Sequence, residues 1–398
     1  MSASIDFSTP DAVVMELGED YREIRESVRR VCADFPNEYW AAMDEKEEYP
    51  QEFIQALTDA GFLAALIPEE YGGTGMPLRA AAVIMEEVCA AGCHAAAGHA
   101  QMYIMGTILR HGSAQQKKDY LPKIASGELR LQAFGVTEPT SGTDTLSLRT
   151  TARREGDHYV INGQKIWTSR SEHSDLMLLL ARTTPKDQVK KKTDGLSLFL
   201  LDMKDQKDNI TIVPIETMVN HATTEVFFNN VEIPVENLIG EEGKGFKYVL
   251  SGMNAERVLV ASESIGDGYY FVDHAVQYAN ERVVFDRPIG QNQGVQFPIA
   301  AAYMDIEAAK LMRDRAAELF DSGQKVGAEA NIAKYLASTA AWKAANATMD
   351  TYGGYGYATE YHVERKFKEA RLFMIAPISN NLVLSFVAQH VLGLPRSF

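Results

Sequence analysis

Phe134-Gly-Val-Thr-Glu-Pro-Thr-Ser-Gly-Thr-Asp144, followed by Asn162-Gly-Gln-Lys-Ile-Trp-Thr-Ser169, is the stretch on which the reading of this chain turns. The first run is a polar loop of small residues, in which backbone N–H groups are open to close approach by an anion. In the second, an Asn-Gly pair between Val160-Ile161 and Gln164 to Trp167 reads as a hairpin that sets an indole beside two hydroxyls. Exposed amides, hydroxyl donors and a large aromatic face suit a flat, polar-edged heterocycle carrying a pyrophosphate, and a flavin fits that description. Turn chemistry by itself accounts for the same residues as a surface loop and an ordinary hairpin, with Trp167 in a core.

Outward from this stretch the hydrophobic period changes twice. From about Tyr21 to Gly127 it is helical: Ile24, Val28 and Val31 make a one-sided stripe, Phe53 to Leu57 repeats it, and Ala81 to Met105 is apolar nearly all round. From about Leu131 to Leu238 short strands follow, at Leu176 to Ala181, Leu196 to Leu201 and Val226 to Pro234, with Asn229-Asn230 as a turn. Glu155-Gly-Asp157 supplies a further hairpin. Such a density of strands predicts a small β-barrel or sandwich. Past Gly243 the pattern predicts four long helices: Phe246 to about Val283, Val295 to about Asp321, Val326 to about Asp350 and Glu364 to about Val391. Their alanine content favours close packing as a bundle. The expected domains are 1–130 (helical), 131–240 (β-barrel) and 241–398 (helical bundle), an α+β multidomain chain.

The 398 residues carry a net charge of −15, which argues against a general nucleic-acid binder. Three cysteines imply no disulfide framework and suit a reducing compartment. Met1 to Ser8 lacks a basic segment followed by an apolar core, and no apolar run reaches membrane-spanning length. A cytoplasmic protein without membrane attachment is expected. Lys186 and Lys190 to Lys192 read as a solvated hairpin tip.

The loop and hairpin resemble the signature of the acyl-CoA dehydrogenase family, with its Thr-Glu-Pro…Gly-Ser-Asp loop and Trp-x-Thr strand. Thr143 stands for the usual Ser and Ser169 for the usual Thr, each keeping its hydroxyl. The order of helices, strands and bundle is similar to that family's fold over nearly the whole chain from about Asp20. The resemblance implies FAD as cofactor, with Phe134, Val136, Thr137, Gly142, Thr143, Trp167, Thr168 and Ser169 against it. It implies desaturation of an acyl-CoA to a trans-2-enoyl-CoA, electrons passing to an electron-transferring flavoprotein. The turn Glu281-Arg-Val-Val-Phe-Asp-Arg-Pro-Ile-Gly-Gln-Asn-Gln293 resembles the family's Arg-x-x-Phe-Gly-x-Pro-Ile…Gln. Arg282, Phe285 and Gln293 thereby inherit contacts to the FAD of an adjacent subunit, where Arg–phosphate pairing explains the residue type. Asp350-Thr-Tyr-Gly-Gly-Tyr-Gly356 resembles the Gln-x-Phe-Gly-Gly-x-Gly segment, Gly353 and Gly354 being kept and Asp350 replacing a Gln. A shared cofactor implies an oligomer, and the family resemblance a homotetramer built as a dimer of dimers.

Most of the family carries its base, a Glu, near the C-terminus. Here Lys368-Glu-Ala-Arg-Leu-Phe-Met-Ile-Ala-Pro-Ile-Ser379 puts Pro377 on that position, and proline takes no proton and offers no N–H to the thioester oxygen. The isovaleryl-CoA and long-chain types carry the Glu on the first long bundle helix, in Met-Ser-Gly-Leu-Asp-x-Glu-Arg. Leu250-Ser-Gly-Met-Asn-Ala-Glu-Arg257 is similar and makes Glu256 the expected base, with Asn254, Arg257 and Thr143 on the substrate side. Burial beside Val258-Leu-Val-Ala261 would raise its pKa into a base's working range. The family lines its acyl pocket with the helix near residue 100, so His99, Met102 and Tyr103 are expected to shape it and Ala95 to Ala97 to leave room. With Ala376-Pro377 in place of a Tyr-Glu pair, branched or bulky acyl groups are expected to fit. Cys89, Cys93, His94 and His99 include metal-ligand types, but 93 and 94 point about 100° apart on a helix, and no metal site is expected. An oxidase using O2 and a catalytically silent FAD- or acyl-CoA-binding subunit of a hetero-oligomer are the alternatives.

Overall fold

The computed structural model describes residues 21–396; the N-terminal segment read for a targeting signal lies outside them. Helices α1 (Arg22–Ala33), α2 (Asn37–Lys46), α3 (Gln51–Asp59), α4 (Leu78–Ala90), α5 (Ala96–His111) and α6 (Ala114–Ser126) come first. Val28 is fully buried, and Ile24 and Val31 pack against the same core. The apolar run from Ala81 to Met105 is two helices rather than one. The chain turns at Gly92 (φ 81), where an added Cβ would meet the Tyr270 ring at 2.8 Å.

Strands β1 (Leu131–Gly135), β2 (Thr151–Glu155), β3 (His158–Ser169), β4 (Leu176–Arg182), β5 (Leu196–Asp202), β6 (Ile210–Pro214), β7 (Thr223–Pro234) and β8 (Leu238–Ile239) form one eight-stranded sheet. The order is β6-β7-β3-β2-β4-β5-β8, with β1 parallel to β4. β4 is apolar throughout because both its faces are buried: Leu176, Leu178 and Leu180 enter the helical core, Met177, Leu179 and Ala181 a separate β core. Glu155-Gly156-Asp157 turns β2 into β3, with Glu155 opposite His158. The lysines at 186 and 190–192 are exposed between β4 and β5.

Two expected turns are absent. Asn162-Gly163 does not reverse the chain: β3 runs through it, and Gly163 (φ 151) sits where a Cβ would lie 2.6 Å from the Thr150 Cα. Likewise β7 continues through Asn229-Asn230, Asn230 having φ 51. The two sites face one another across a register shift, and the Asn162 amide donates to Asn230 Oδ1 at 3.0 Å while the Asn230 N–H donates to Asn162 Oδ1 at 2.9 Å. Each Asn is the hinge of a bulge.

The bundle consists of α7 (Gly245–Glu281), α8 (Gln293–Asp321), α9 (Gly327–Tyr352), α10 (Val363–Phe373) and α11 (Asn380–Phe386), with a small hairpin of β9 (Val283–Val284) and β10 (Arg287–Pro288) after α7. The expected helix from 364 to 391 is broken at residues 374–379. Pro377 lacks an N–H and disfavours helical backbone at Ala376, and the Lys334 ammonium of α9 holds the break by donating to the Ile378 carbonyl and Asn380 Oδ1, both at 2.7 Å. α7 packs on α4, α5, α8 and α9, which encloses most of its length.

Candidate active site

The middle of α7 meets α5, which in turn packs on β1. Glu256 on α7 is 5% exposed, and its Oε2 has no hydrogen-bond partner. Burial raises its pKa to about 7, against the opposing pull of His99, Arg257 and the facing Tyr103 hydroxyl. Burial also pushes the Tyr103 phenol well up. Seven residues on, Glu263 lies on the same face of α7, and His99 Nδ1 approaches its Oε1 at 2.5 Å. His99 and Tyr103, four apart on α5, stack at 5.8 Å, and Tyr103 meets Phe134 edge-on at 5.7 Å. The base position, the expected acyl pocket and the loop after β1 are therefore contiguous. Arg257 is buried and donates to Asn254 Oδ1 at 2.9 Å, and Met102 is fully enclosed in the helical core.

On the sheet side the Phe134–Asp144 loop is anchored by a buried ion pair that the sequence reading missed. Lys165 Nζ lies 2.8 Å from Glu138 Oε1 and donates to the Val136 carbonyl at 3.0 Å. Glu138 also accepts from the N–H groups of Arg149 and Thr150 at 2.5 and 2.9 Å. Burial lowers the Lys165 pKa to about 8, so the pair with Glu138 keeps it charged near neutrality. The signal in the sequence was a lysine at a strand position whose neighbours two and four residues back, Gly163 and Ile161, face inward. Thus held, the loop leaves the N–H groups of Gly142, Thr143 and Asp144 without a protein acceptor among the described residues.

A bulge in β3 turns Trp167 out of the sheet. Its φ is 60 and its indole is 57% exposed. Thr168 is buried, with its own Oγ1 unpartnered, while the Ser169 hydroxyl accepts from the Asn220 amide at 2.8 Å. Trp167 thus stands in no core. Non-glycine residues in the left-handed region cost of order 1–3 kcal/mol each and gather at functional sites; Arg170, with φ 63, is a second one three residues on.

Arg282, Phe285, Gln293, Asp350, Gly353 and Gly354 are exposed together at the outer end of the bundle. Arg282 lies over the Tyr355 ring at 5.4 Å. Phe285 and Asp286 have φ 53 and 61, which makes a tight primed turn whose Phe ring is 92% exposed. Open space surrounds Gly353 and Gly354. Among the described residues, no hydrogen bond, ion pair or ring contact joins this patch to Trp167 or Thr143. The metal-ligand types diverge, Cys93 and His94 lying in the turn between α4 and α5 rather than on a helix: Cys93 Sγ approaches the Phe35 carbonyl, His94 lies 3.0 Å from Glu369, and His99 on α5 faces Glu263. Cys89 groups instead with Asp267 and Glu369, whose carboxylates hold the Lys366 ammonium, each at 2.5 Å.

The chain matches three family models in succession: acyl-CoA dehydrogenase N-terminal domain over residues 18–128, middle domain over 133–231 and C-terminal domain over 243–392. The chain belongs to the acyl-CoA dehydrogenase family. It is 35% identical to an acyl-CoA dehydrogenase of Mycobacterium bovis over 96% of this chain and 98% of that one. Its structure resembles a glutaryl-coenzyme A dehydrogenase in complex with glutaryl-CoA (TM-score 0.88, 32% identity, covering 96% of this chain and 97% of that one). It also resembles butyryl-CoA dehydrogenase of Megasphaera elsdenii (TM-score 0.87, 29% identity, 94% and 100%). As a member of the acyl-CoA dehydrogenase family it is an oxidoreductase acting on a CH–CH bond, with FAD as cofactor. The residues fit that cofactor: three unpaired N–H groups suit its phosphates, and a bare indole beside an unpartnered threonine hydroxyl suits its ring.

Proposed function

We propose that Glu256 is the base of an acyl-CoA desaturation yielding a trans-2-enoyl-CoA. The observation that carries this reading is a carboxylate buried on α7 with one oxygen unpartnered and a pKa raised to about 7. A general base works best with its pKa near the operating pH, and Pro377 offers no competing group. Glu256 takes the α-proton, and Tyr103, facing it, supports the ionised carboxylate that must precede transfer. Arg257, held by Asn254, favours the same charged state from the other side. Bound FAD supplies the acceptor for the β-hydride, and the loop amides of Gly142 and Thr143 with Trp167, Thr168 and Ser169 hold it. Among the described residues the Ile378 N–H donates to no protein group while Lys334 fixes its carbonyl, which supports it as a candidate donor to the thioester oxygen.

An electron-transferring flavoprotein is the proposed acceptor. The exposed patch of Arg282, Phe285, Gln293, Gly353 and Gly354 is proposed to complete the FAD site of a second copy in a homotetramer, in keeping with a Phe ring left bare on a strained turn. Among the described residues no helix is long and apolar enough to cross a membrane, which accords with a proposed cytoplasmic enzyme. Glu256→Gln tests the reading: FAD and acyl-CoA binding persist and flavin reduction falls by roughly 10²–10⁴-fold. Near-normal reduction would remove Glu256 from the mechanism.

A further inference from the structure

The pocket beside Ala96 and Ala97, residues expected to leave room for the acyl group, has a charged wall. Arg170, at the end of β3, is 8% exposed and its Nε has no partner. Its Nη1 donates to Asn220 Oδ1 at 3.1 Å, and among the described residues no carboxylate lies within 4.0 Å of it. Through space it feels Tyr103, Tyr49, Glu263 and Glu256. The same guanidinium lines an open pocket of about 70 Å³ together with Asp44, Glu48, Tyr49, Ala96, Ala97 and Arg365. Glu263, which His99 approaches at 2.5 Å, and Glu256, half-protonated at about pH 7, act on it only through space, and the pocket carboxylates Asp44 and Glu48 form no ion pair with it. A buried cation without a counter-ion is costly, and an alkyl chain would leave this one uncompensated.

We infer that Arg170 is a specificity-determining residue that receives a carboxylate at the distal end of the acyl group, so that the preferred substrates are ω-carboxyacyl-CoA thioesters. The inference rests on the acyl-CoA reading above and names its substrate class. Tyr49, whose hydroxyl donates to Gln132 Oε1 at 2.7 Å, lines the same pocket as the small side chains Ala96 and Ala97. A charge-assisted hydrogen bond that a neutral chain cannot make is worth roughly ten- to a hundredfold in affinity.

The test uses the flavin-loaded oligomer and two series of thioesters, ω-carboxyacyl-CoAs and neutral acyl-CoAs of matched length. Each series extends one carbon at a time, so that the distal carboxylate is presented at a range of depths. Dissociation constants come from calorimetry and reduction rates from anaerobic loss of flavin colour. The expected result is at least a tenfold preference for the carboxylated member at one length or more. Arg170→Met abolishes that preference without weakening neutral thioesters, and Arg170→Lys restores part of it. Preference for the neutral member at every length overturns the assignment. So does an Arg170→Met variant that loses affinity equally for both series, which would assign Arg170 to the CoA moiety common to both. Selective binding of carboxylated thioesters with no flavin reduction by either series would keep the Arg170 assignment and refute the desaturation reading instead. Retained flavin in each variant checks the fold.

Discussion

Replacing Glu256 by Gln should make the protein more stable while disabling it, and the gain should depend on pH. The native carboxyl has a pKa of about 7 against an ordinary 4.5. Its folded pKa is raised, so its neutral form is the one the fold favours. Full stability is present below about pH 4.5 and is lost as pH rises through 7, where the buried group must ionise. The loss saturates near pH 8 at the difference of the two values times about 1.36 kcal/mol per unit, or about 3 kcal/mol. Gln keeps the shape and a partner for Tyr103, and carries no charge at any pH. Its stabilising effect should therefore be under about 1 kcal/mol at pH 5 and approach about 3 kcal/mol at pH 8. Thermal unfolding of both proteins at fixed FAD concentration, followed from pH 5 to 8.5, measures the difference, expected as a few degrees in Tm at the alkaline end. A variant destabilised throughout, or a gain that does not change with pH, would refute the buried-base reasoning.

The same titration should govern catalysis: kcat/KM is expected to rise with pH and level off above about 7 as Glu256 becomes ionised, and a profile already flat from pH 5 would contradict it. Arg282→Ala should lower FAD retention and loosen the oligomer, read by flavin-to-protein absorbance and sedimentation; a fully flavinylated monomer would argue against a shared site. Lys165→Met strands Glu138 in a buried position, at a cost of roughly 3–5 kcal/mol. Denaturant unfolding should show that loss together with weaker FAD binding, and an unchanged midpoint would mean the pair does not hold the loop. Branched thioesters are expected to react within a hundredfold of linear ones of equal carbon number, since Ala376 and Pro377 leave width near the reacting carbons.

The three-part fold was legible because each part has its own hydrophobic period and the changes fall near residues 130 and 240. Glu256 as the proposed base came from the resemblance of Leu250 to Arg257 to the family's alternative motif, with proline at the usual position, while its apolar flank made the burial expected. What the sequence hid was tertiary. Asn162-Gly163 has the chemistry of a hairpin turn, yet its glycine answers to the nearby backbone of Thr150, the residue just before β2. Residues 364 to 391 keep a helical pattern through a break that depends on Lys334 of another helix. Arg170 and Lys165 looked like ordinary strand polar residues, and only the enclosing helices and the Glu138 loop show one to be a buried cation without a carboxylate and the other a buried anchor.

Anaerobic single-turnover reduction of the flavin by acyl-CoA, compared between the wild-type oligomer and Glu256→Gln, tests the central claim most directly. Rapid loss of flavin colour in the first, and loss slowed by roughly 10²–10⁴-fold in the second with thioester affinity intact, is the predicted result. Equal rates in the two proteins, or no reduction by any thioester in the wild type, would contradict it.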